Sequence, residues 1–156
     1  MGTRHLQIVI NKNGVRKVSQ YGQWDGYPQG QGVDILNFLK TTDLEKYQTE
    51  LEKIHEITEE EARMVNKCND WATKYPYLSR DCGSRIHYMI LNGDVEFIAI
   101  CTEEEARKWC EGFYTIDFQK GEFISEYYNI RQAYKLTELP TEEEYLRIME
   151  PKDDEG

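Results

Sequence analysis

The fold is decided by the stretch HLQIVINKNGVRKVSQY, residues 5–21. Two β-prone runs, residues 5–10 and 15–21, flank Asn11-Lys12-Asn13-Gly14. Asn-Gly between two such runs is a strong signal for a β-hairpin. The sequence therefore predicts strand, turn and strand at the start of the chain.

An unusual segment, YGQWDGYPQGQG at residues 21–32, overlaps the end of this hairpin. It holds four glycines, three aromatic residues, three glutamines, one proline and one aspartate in twelve positions. Glycine gives access to special backbone conformations and lets a ligand approach the main chain. Aromatic rings add broad contact surfaces, and amide and carboxylate groups add directed hydrogen bonds. The segment is typical of a shaped binding loop.

Helices are predicted in the middle of the chain and near its end. The signals are apolar residues at helical spacing and N-terminal caps at Asp43, Thr58, Thr102 and Thr141. A strand over residues 85–91 is the competing interpretation of the fourth helix. The predicted helices cover 33–39, 44–54, 59–71, a segment from Ser79 or Asp81 to Asn92-Gly93, 103–110 and 141–149.

Further strands are predicted over residues 95–101 and in a late hairpin, where residues 113–118 alternate and residues 123–128 follow a turn. Strands thus cluster at both ends of the chain with helices between them, which predicts the α+β class. We expect an antiparallel sheet of about five strands, built from the N-terminal and C-terminal hairpins, with the middle helices packed on it. Residues 1–150 are predicted to form one domain, followed by a flexible tail at 151–156.

Charge is unevenly distributed along the 156 residues, whose net charge is −10. Residues 1–40 carry five basic and two acidic side chains, whereas residues 41–156 carry 14 basic and 27 acidic ones. Such an acidic body disfavours duplex nucleic acid as a partner. A small anion responds to the local field of a pocket, because salt screens charges beyond about 10 Å. The glycine-rich loop lies in the positive part of the chain.

The sequence lacks the patterns that mark membrane proteins, secreted proteins and metal sites. No apolar run is long enough for a membrane span, and no signal-peptide pattern is present, so we expect a cytosolic protein with no membrane partner. The four cysteines, at positions 68, 82, 101 and 110, match no zinc or redox spacing and are expected to be reduced. His55 with Glu59 lacks the further ligands that a metal site needs. The sequence predicts no metal and no cofactor.

The candidate ligand-binding residues lie in three places. In the loop, Trp24 and Tyr27 are predicted to stack on a flat ligand, and backbone N–H groups near Gly26, Gly30 and Gly32 to meet an anion. A helix beginning at Gly32 would add its dipole. The remaining predicted contacts are polar or charged: Arg4 and His5 before the first strand, Gln23, Asp25 and Gln31 in the loop, and Arg80 and Asp81.

Catalytic signatures are weak in comparison. The loop has neither the dinucleotide-binding spacing nor the Gly-Lys-Ser/Thr of a P-loop. Cys82 would need a base, but two of the three histidines, His5 and His55, are distant in sequence, and His87, five residues along the predicted helix, would face elsewhere. The sequence therefore indicates binding rather than catalysis and identifies no catalytic residue.

Several segments together resemble a group of small proteins found in phages, bacteria and some fungi. The resemblance is carried by MGTRHL at residues 1–6, YGQWDGYP at 21–28, Gln31-Gly32, Arg80-Asp81-Cys82-Gly83 and the late hairpin from Phe113 to Phe123, within residues 1–130. The group has no assigned activity. The resemblance implies a phage origin, hence the host cytoplasm, and small phage proteins often act by binding a host molecule.

The leading functional hypothesis is a binding protein for a small, planar, anionic ligand, namely a nucleotide signal of bacterial immunity that the protein sequesters. One alternative is a hydrolase or transferase acting on a nucleotide-like substrate, with Asp25, Asp81, His5 and Arg4 as acid, base and anion clamp. Another is an inhibitor whose exposed aromatic residues dock on a host protein. The sequence also leaves a homo-oligomer open.

Overall fold

The computed structural model describes residues 2–150, and the predicted tail at 151–156 lies outside them. The described chain forms seven strands: β1 (His5–Ile10), β2 (Arg16–Gly22), β3 (His55–Glu56), β4 (Phe97–Ile98), β5 (Gly112–Asp117), β6 (Glu122–Tyr127) and β7 (Ile130–Lys135). It also forms seven α-helices: α1 (Val33–Thr41), α2 (Leu44–Leu51), α3 (Glu59–Asn66), α4 (Trp71–Lys74), α5 (Arg85–Leu91), α6 (Glu103–Ala106) and α7 (Glu142–Met149).

One five-stranded sheet, in the order β2-β1-β5-β6-β7, organises the molecule. The hairpins β1–β2 and β5–β6 are antiparallel, as the turn sequences predict. The two hairpins join through β1 and β5, which run parallel, so the sheet is mostly rather than wholly antiparallel. The predicted α+β class is confirmed, with the helices in the middle of the chain.

Side-chain caps explain where several helices begin. Asp43 accepts hydrogen bonds from the backbone of Glu45 and Lys46 at the start of α2. Thr58 and Thr141 each form a capping box with the glutamate three residues later, at the starts of α3 and α7. These caps satisfy N–H groups that have no partner inside a helix, and the predicted starts are confirmed.

Three element predictions need correction. The third helix ends at Asn66 instead of continuing to Trp71, and α5 begins at Arg85, because residues 79–84 form turns in which Gly83 has a positive φ of 59°. Most of the predicted strand at 95–101 is irregular, and only Phe97–Ile98 pairs, in parallel with β3. The fifth strand of the main sheet is instead β7, which was not predicted from the sequence.

The sheet has two faces with different coverings. Side chains alternate along a strand, so His5, Gln7 and Val9 point to one face of β1 and Leu6 and Ile8 to the other. Val9 belongs to the larger hydrophobic cluster, which the helices share. Leu6 and Ile8 pack with Ala106 of α6 and with Phe113 in a smaller cluster. None of the helices in residues 2–150 is long and apolar enough to cross a bilayer.

Candidate functional site

The glycine-rich loop is fastened to the end of the sheet by its own backbone. The Gly26 amide donates to the Thr3 carbonyl at 2.9 Å, and the Gly26 carbonyl accepts from the hydroxyl of Tyr114 at 2.6 Å. The Gly30 amide donates to Tyr27 O at 3.0 Å. The amides of Gly26 and Gly30, which we predicted to meet an anion, are therefore already bonded within the protein.

Gly32 lies inside a helical segment rather than at its beginning. A π-helical turn, Pro28–Gly32, runs into α1, and Gly32 has helical dihedral angles of −60° and −50°. The residue is buried, and a Cβ added there would clash with the Tyr145 hydroxyl oxygen. α1 does begin at Val33, with Gly32 as its N-cap residue, but the preceding π-helical turn continues into it, so the start of α1 is not a free helix end.

Gln31 holds the loop to the segment before α5. Its side-chain Nε2 donates to Trp24 O at 3.1 Å, and its Oε1 accepts from the Ser84 amide at 2.7 Å. The side chain is buried. Both ends of the amide are thus used within the protein, which gives Gln31 a structural task in addition to the predicted contact with a ligand.

The loop presents two aromatic side chains to solvent, each held by a carboxylate. Trp24 is 45% exposed, and its indole Nε1 donates to Asp81 Oδ1 at 2.7 Å. Tyr27 is 36% exposed, and its hydroxyl donates to Asp25 Oδ1 at 2.9 Å. Asp25 has a positive φ of 58°, a conformation that aspartate tolerates better than most residues. These four predicted site residues do lie together, as two fixed pairs.

His5 is buried beneath the loop at the end of a chain of side-chain hydrogen bonds. The chain runs from the Tyr47 hydroxyl to His87 at 2.8 Å, from His87 to Gln7 at 2.8 Å, and from Gln7 to His5 at 3.2 Å. Gln7 Oε1 faces His87, so its amide nitrogen donates to His5 Nδ1, and the His5 proton resides on Nε2. That atom has no hydrogen-bond partner among residues 2–150 and lies against Gly22.

Burial keeps both histidines of this chain neutral. It lowers the pKa of His5 to about 4, an effect that the charge of Asp25 partly opposes. Burial likewise lowers the pKa of His87 to about 3, with a smaller contribution from His5. A neutral, enclosed imidazole suits a structural role, and His5 is not on the surface where a ligand would arrive.

The Arg4 side chain lies with Glu111 and Trp109 rather than with the exposed aromatic residues of the loop. There Arg4 Nε lies 3.8 Å from Glu111 Oε2, and the Arg4 amide donates to Glu111 Oε1 at 3.3 Å. Arg4 Nε is buried and has no hydrogen-bond partner within the described chain. We predicted that Arg4, Trp24 and Tyr27 contact one ligand. In the described residues Arg4 is paired with Glu111, and no hydrogen bond joins it to Trp24 or Tyr27.

A groove of about 470 Å³, which we name the Arg4 groove, is lined by Arg4, Tyr21, Cys101 and Trp109. Trp109 is 47% exposed and offers an indole surface beside the guanidinium. A second groove of about 360 Å³ also contains Arg4 and Trp109, and it ends at Tyr128, which is 60% exposed. Trp109 was not predicted from the sequence, since no motif surrounds it.

Arg80 contributes positive charge near the same groove. Burial raises the pKa of Tyr21, and the charges of Arg4 and Arg80 both oppose that increase. The Arg80 carbonyl accepts from the Gln23 amide at 3.0 Å, which joins Arg80 to the end of β2. The charge of Arg80 therefore acts in the same region as that of Arg4, whereas its neighbour Asp81 accepts a hydrogen bond from Trp24.

The cysteines are unsuited to nucleophilic chemistry. Burial raises the pKa of Cys82 to about 11 and that of Cys110 to about 12, so both remain thiols at neutral pH. All four cysteines are free. Within residues 2–150, no group of three or more histidine, cysteine, aspartate or glutamate side chains is arranged to hold a metal ion.

In comparisons with known proteins, no family model, no curated protein and no solved structure matches this chain. The resemblance to a group of phage, bacterial and fungal proteins therefore stays a prediction from the sequence.

Proposed function

We propose that this protein binds a small, planar, anionic ligand of the nucleotide type in the Arg4 groove. The observation that supports this most directly is Arg4 itself. Its side chain is partly exposed, and it lines the same groove as the exposed indole of Trp109. A guanidinium hydrogen-bonds well to phosphate or carboxylate, and an indole face stacks on a base.

The size and charge of the groove support the same ligand class. Its volume of about 470 Å³ falls in the range of about 300–1,000 Å³ that small-molecule sites occupy. The positive charges of Arg4 and Arg80 both oppose the rise in the pKa of Tyr21, so the electrostatic field at that hydroxyl favours an anion. Glu111 neutralises part of this charge, and the ligand's anionic group would compete with it for Arg4.

Sequestration, rather than turnover, is the proposed outcome of binding. The thiol that lines the groove is Cys101, and burial raises its pKa, while His5 is buried away from the groove; both observations favour binding over turnover. Together with the resemblance to phage proteins, this favours a protein that holds a nucleotide signal of bacterial immunity in the host cytoplasm.

Isothermal titration against a panel of nucleotides and cyclic nucleotides tests the proposal. We expect Arg4→Ala and Trp109→Ala each to weaken binding about tenfold or more, as loss of a charged hydrogen bond or of a stacking face does. Unchanged affinity in both variants, or no binding by any member of the panel, would remove the proposal.

Two matched controls separate the groove from general effects of charge and aromatic surface. Arg16→Ala removes an equal charge, also paired with a glutamate, at the other end of β1 and β2. Trp71→Ala removes an indole that is 38% exposed. Both should bind like the wild type. Trp24→Ala distinguishes the sites: a large loss there, with Arg4→Ala unaffected, would move the ligand to the loop.

The fate of the ligand distinguishes sequestration from catalysis. After incubation, the protein is heat-denatured and the released nucleotide is identified by mass spectrometry. Intact nucleotide in a one-to-one ratio with the chain supports sequestration. Recovery of a hydrolysed or transferred product would instead establish the enzymatic alternative.

A further inference from the structure

The two edges of the main sheet differ in how they are covered. Along β2, the Ser19 carbonyl accepts from the Cys101 amide at 2.7 Å, and the Gln23 amide at its end donates to Arg80. Other segments of the chain therefore cover this edge. The opposite edge is β7, whose residues Arg131, Gln132 and Ala133 are all exposed.

The hydrogen-bond alternation of the β6–β7 hairpin shows which backbone groups point outward. The Leu136 amide donates to Gly121 O at 2.9 Å, so this pair is hydrogen-bonded. In an antiparallel ladder such pairs recur every second residue. The N–H and C=O groups of Tyr134, Gln132 and Ile130 therefore point towards β6 and bond to it. Arg131 and Ala133 consequently direct their N–H and C=O groups away from the sheet, and neither residue has another backbone partner in the described chain.

We propose that β7 pairs antiparallel with β7 of a second copy of this chain, around a two-fold axis at Gln132. Arg131 of each copy then lies opposite Ala133 of the other. Because both residues direct their backbone groups outward, each such pair exchanges two hydrogen bonds. The dimer thereby forms four backbone hydrogen bonds and joins the two sheets into one of ten strands.

Charge selects this register among those that the pleat permits. A shift of one residue would place side chains of opposite faces against each other, so only shifts of two are compatible. A shift of two in one direction puts Arg131 opposite Arg131 of the second copy, and in the other direction puts Arg131 opposite Lys135. Like charges directly opposite are destabilising. The register centred on Gln132 avoids both.

Side chains also match in the chosen register. Ile130 lies opposite Tyr134 of the second copy, on the sheet face that carries Phe123 and Tyr127. An aliphatic side chain and an aromatic ring are a favourable cross-strand pair. Gln132 meets Gln132 of the second copy across the axis as a non-hydrogen-bonded pair, with Cα atoms about 4.5 Å apart.

Sedimentation equilibrium of the full chain from about 1 µM to about 1 mM tests the association, because a dimer responds to protomer concentration. We expect the average mass to rise from one chain towards two. Ala133→Pro removes an outward N–H from each copy, and with it two of the four hydrogen bonds, and should raise the dissociation constant about tenfold or more. Ala133→Thr keeps the N–H and should dimerise like the wild type.

Cysteine cross-linking tests the register without relying on Ala133→Pro to fold. Two cysteines at a non-hydrogen-bonded pair meet the Cα distance that a disulfide needs. Under mild oxidation, Gln132→Cys should form a covalent dimer through the introduced thiol of each chain, whereas Arg131→Cys, which lies opposite Ala133, should not. The wild type, with its four native cysteines, is the background control.

Three results would overturn the dimer. They are a single-chain mass over the whole concentration range, a dimer that Ala133→Pro leaves unchanged, and equal cross-linking of Arg131→Cys and Gln132→Cys. If the chain is monomeric but β7 captures an extended peptide of another sequence, the occupant is a foreign strand and the second-copy proposal fails. None of these measurements involves a nucleotide, so they are independent of the proposed function.

Discussion

At the scale of single residues, Gly32 is needed for packing rather than for conformation. Its dihedral angles are helical, yet an added Cβ would clash with Tyr145 Oη. We expect Gly32→Ala to lower the free energy of unfolding by about 1–3 kcal/mol, as overpacking a buried site does, measured by chemical denaturation. A cost below about 0.5 kcal/mol would contradict this contact.

A double-mutant cycle assigns that cost to the Tyr145 hydroxyl. In the Tyr145→Phe background the hydroxyl is absent, so Gly32→Ala should cost less than it does in the wild type. Gly121→Asn is the control for glycine replacement, because no atom lies within 4 Å of an added Cβ and its φ of 68° suits asparagine. This substitution should change stability little.

The buried histidines predict how stability depends on pH. The pKa values of His5 and His87 are lowered to about 4 and about 3, against 6.5 for an exposed imidazole. The unfolded chain therefore binds protons first as the pH falls, and the stabilising effect of these neutral rings, complete above pH 6.5, is lost between pH 6.5 and pH 3. Each histidine should contribute a slope of at most about 1.4 kcal/mol per pH unit, largest near pH 5 and falling for His5 as the pH approaches 4.

Removing one ring tests that slope. Unfolding free energies measured between pH 7 and pH 4 should vary less steeply in His87→Phe than in the wild type, whatever the absolute loss of stability. His55→Gln is the comparison, because that imidazole is exposed and paired with Glu61. An identical slope in His87→Phe and the wild type would show that His87 is not neutral in the fold.

At the scale of elements, Gln31 couples the loop to the start of α5. Gln31→Leu would leave the Ser84 amide and the Trp24 carbonyl without their present partner. We expect a loss of about 1–3 kcal/mol in unfolding free energy, which is the usual cost of an unsatisfied buried polar group, together with faster amide hydrogen exchange at Ser84. Gln29→Leu, at an exposed position of the same loop, should affect neither measurement.

The elements that the sequence predicted correctly are those with a local physical signal. Thr58 and Thr141 predict their helices because a capping box needs only residues three apart. In contrast, β7 was missed because its alternation is weak: Ile130 and Tyr134 share the core face, but Gln132 between them is polar and exposed. The predicted strand at 95–101 was too long for the opposite reason: Val95, Phe97 and Ile98 are all buried, but only Phe97–Ile98 form a ladder.

The candidate site was harder to predict than the fold, because it depends on distant contacts. Trp24 and Asp81 are 57 positions apart, and their hydrogen bond appears only in the folded chain. Arg4 pairs with Glu111, whereas His5 bonds to Gln7 in the interior, although Arg4 and His5 are neighbours in sequence. Trp109 joins Arg4 through packing that no motif encodes.

At the scale of the whole molecule, the two proposals use separate surfaces. The Arg4 groove belongs to the end of the sheet at which β1 begins, whereas the proposed dimer uses the outer edge of β7. In an antiparallel dimer the two grooves point in opposite directions along the joined sheet. A variant that abolishes dimerisation should therefore bind its ligand normally, and titration of Ala133→Pro measures this.

The position of β1 in the sheet also has a consequence for biosynthesis. This strand is translated well before its partner β5, which begins at Gly112, yet it lies inside the sheet between β2 and β5. Pairings between segments so far apart slow the search for the native state. Until β5 has been translated and has left the exit tunnel, the nascent β1–β2 hairpin has an open side that chaperones or another nascent chain can engage.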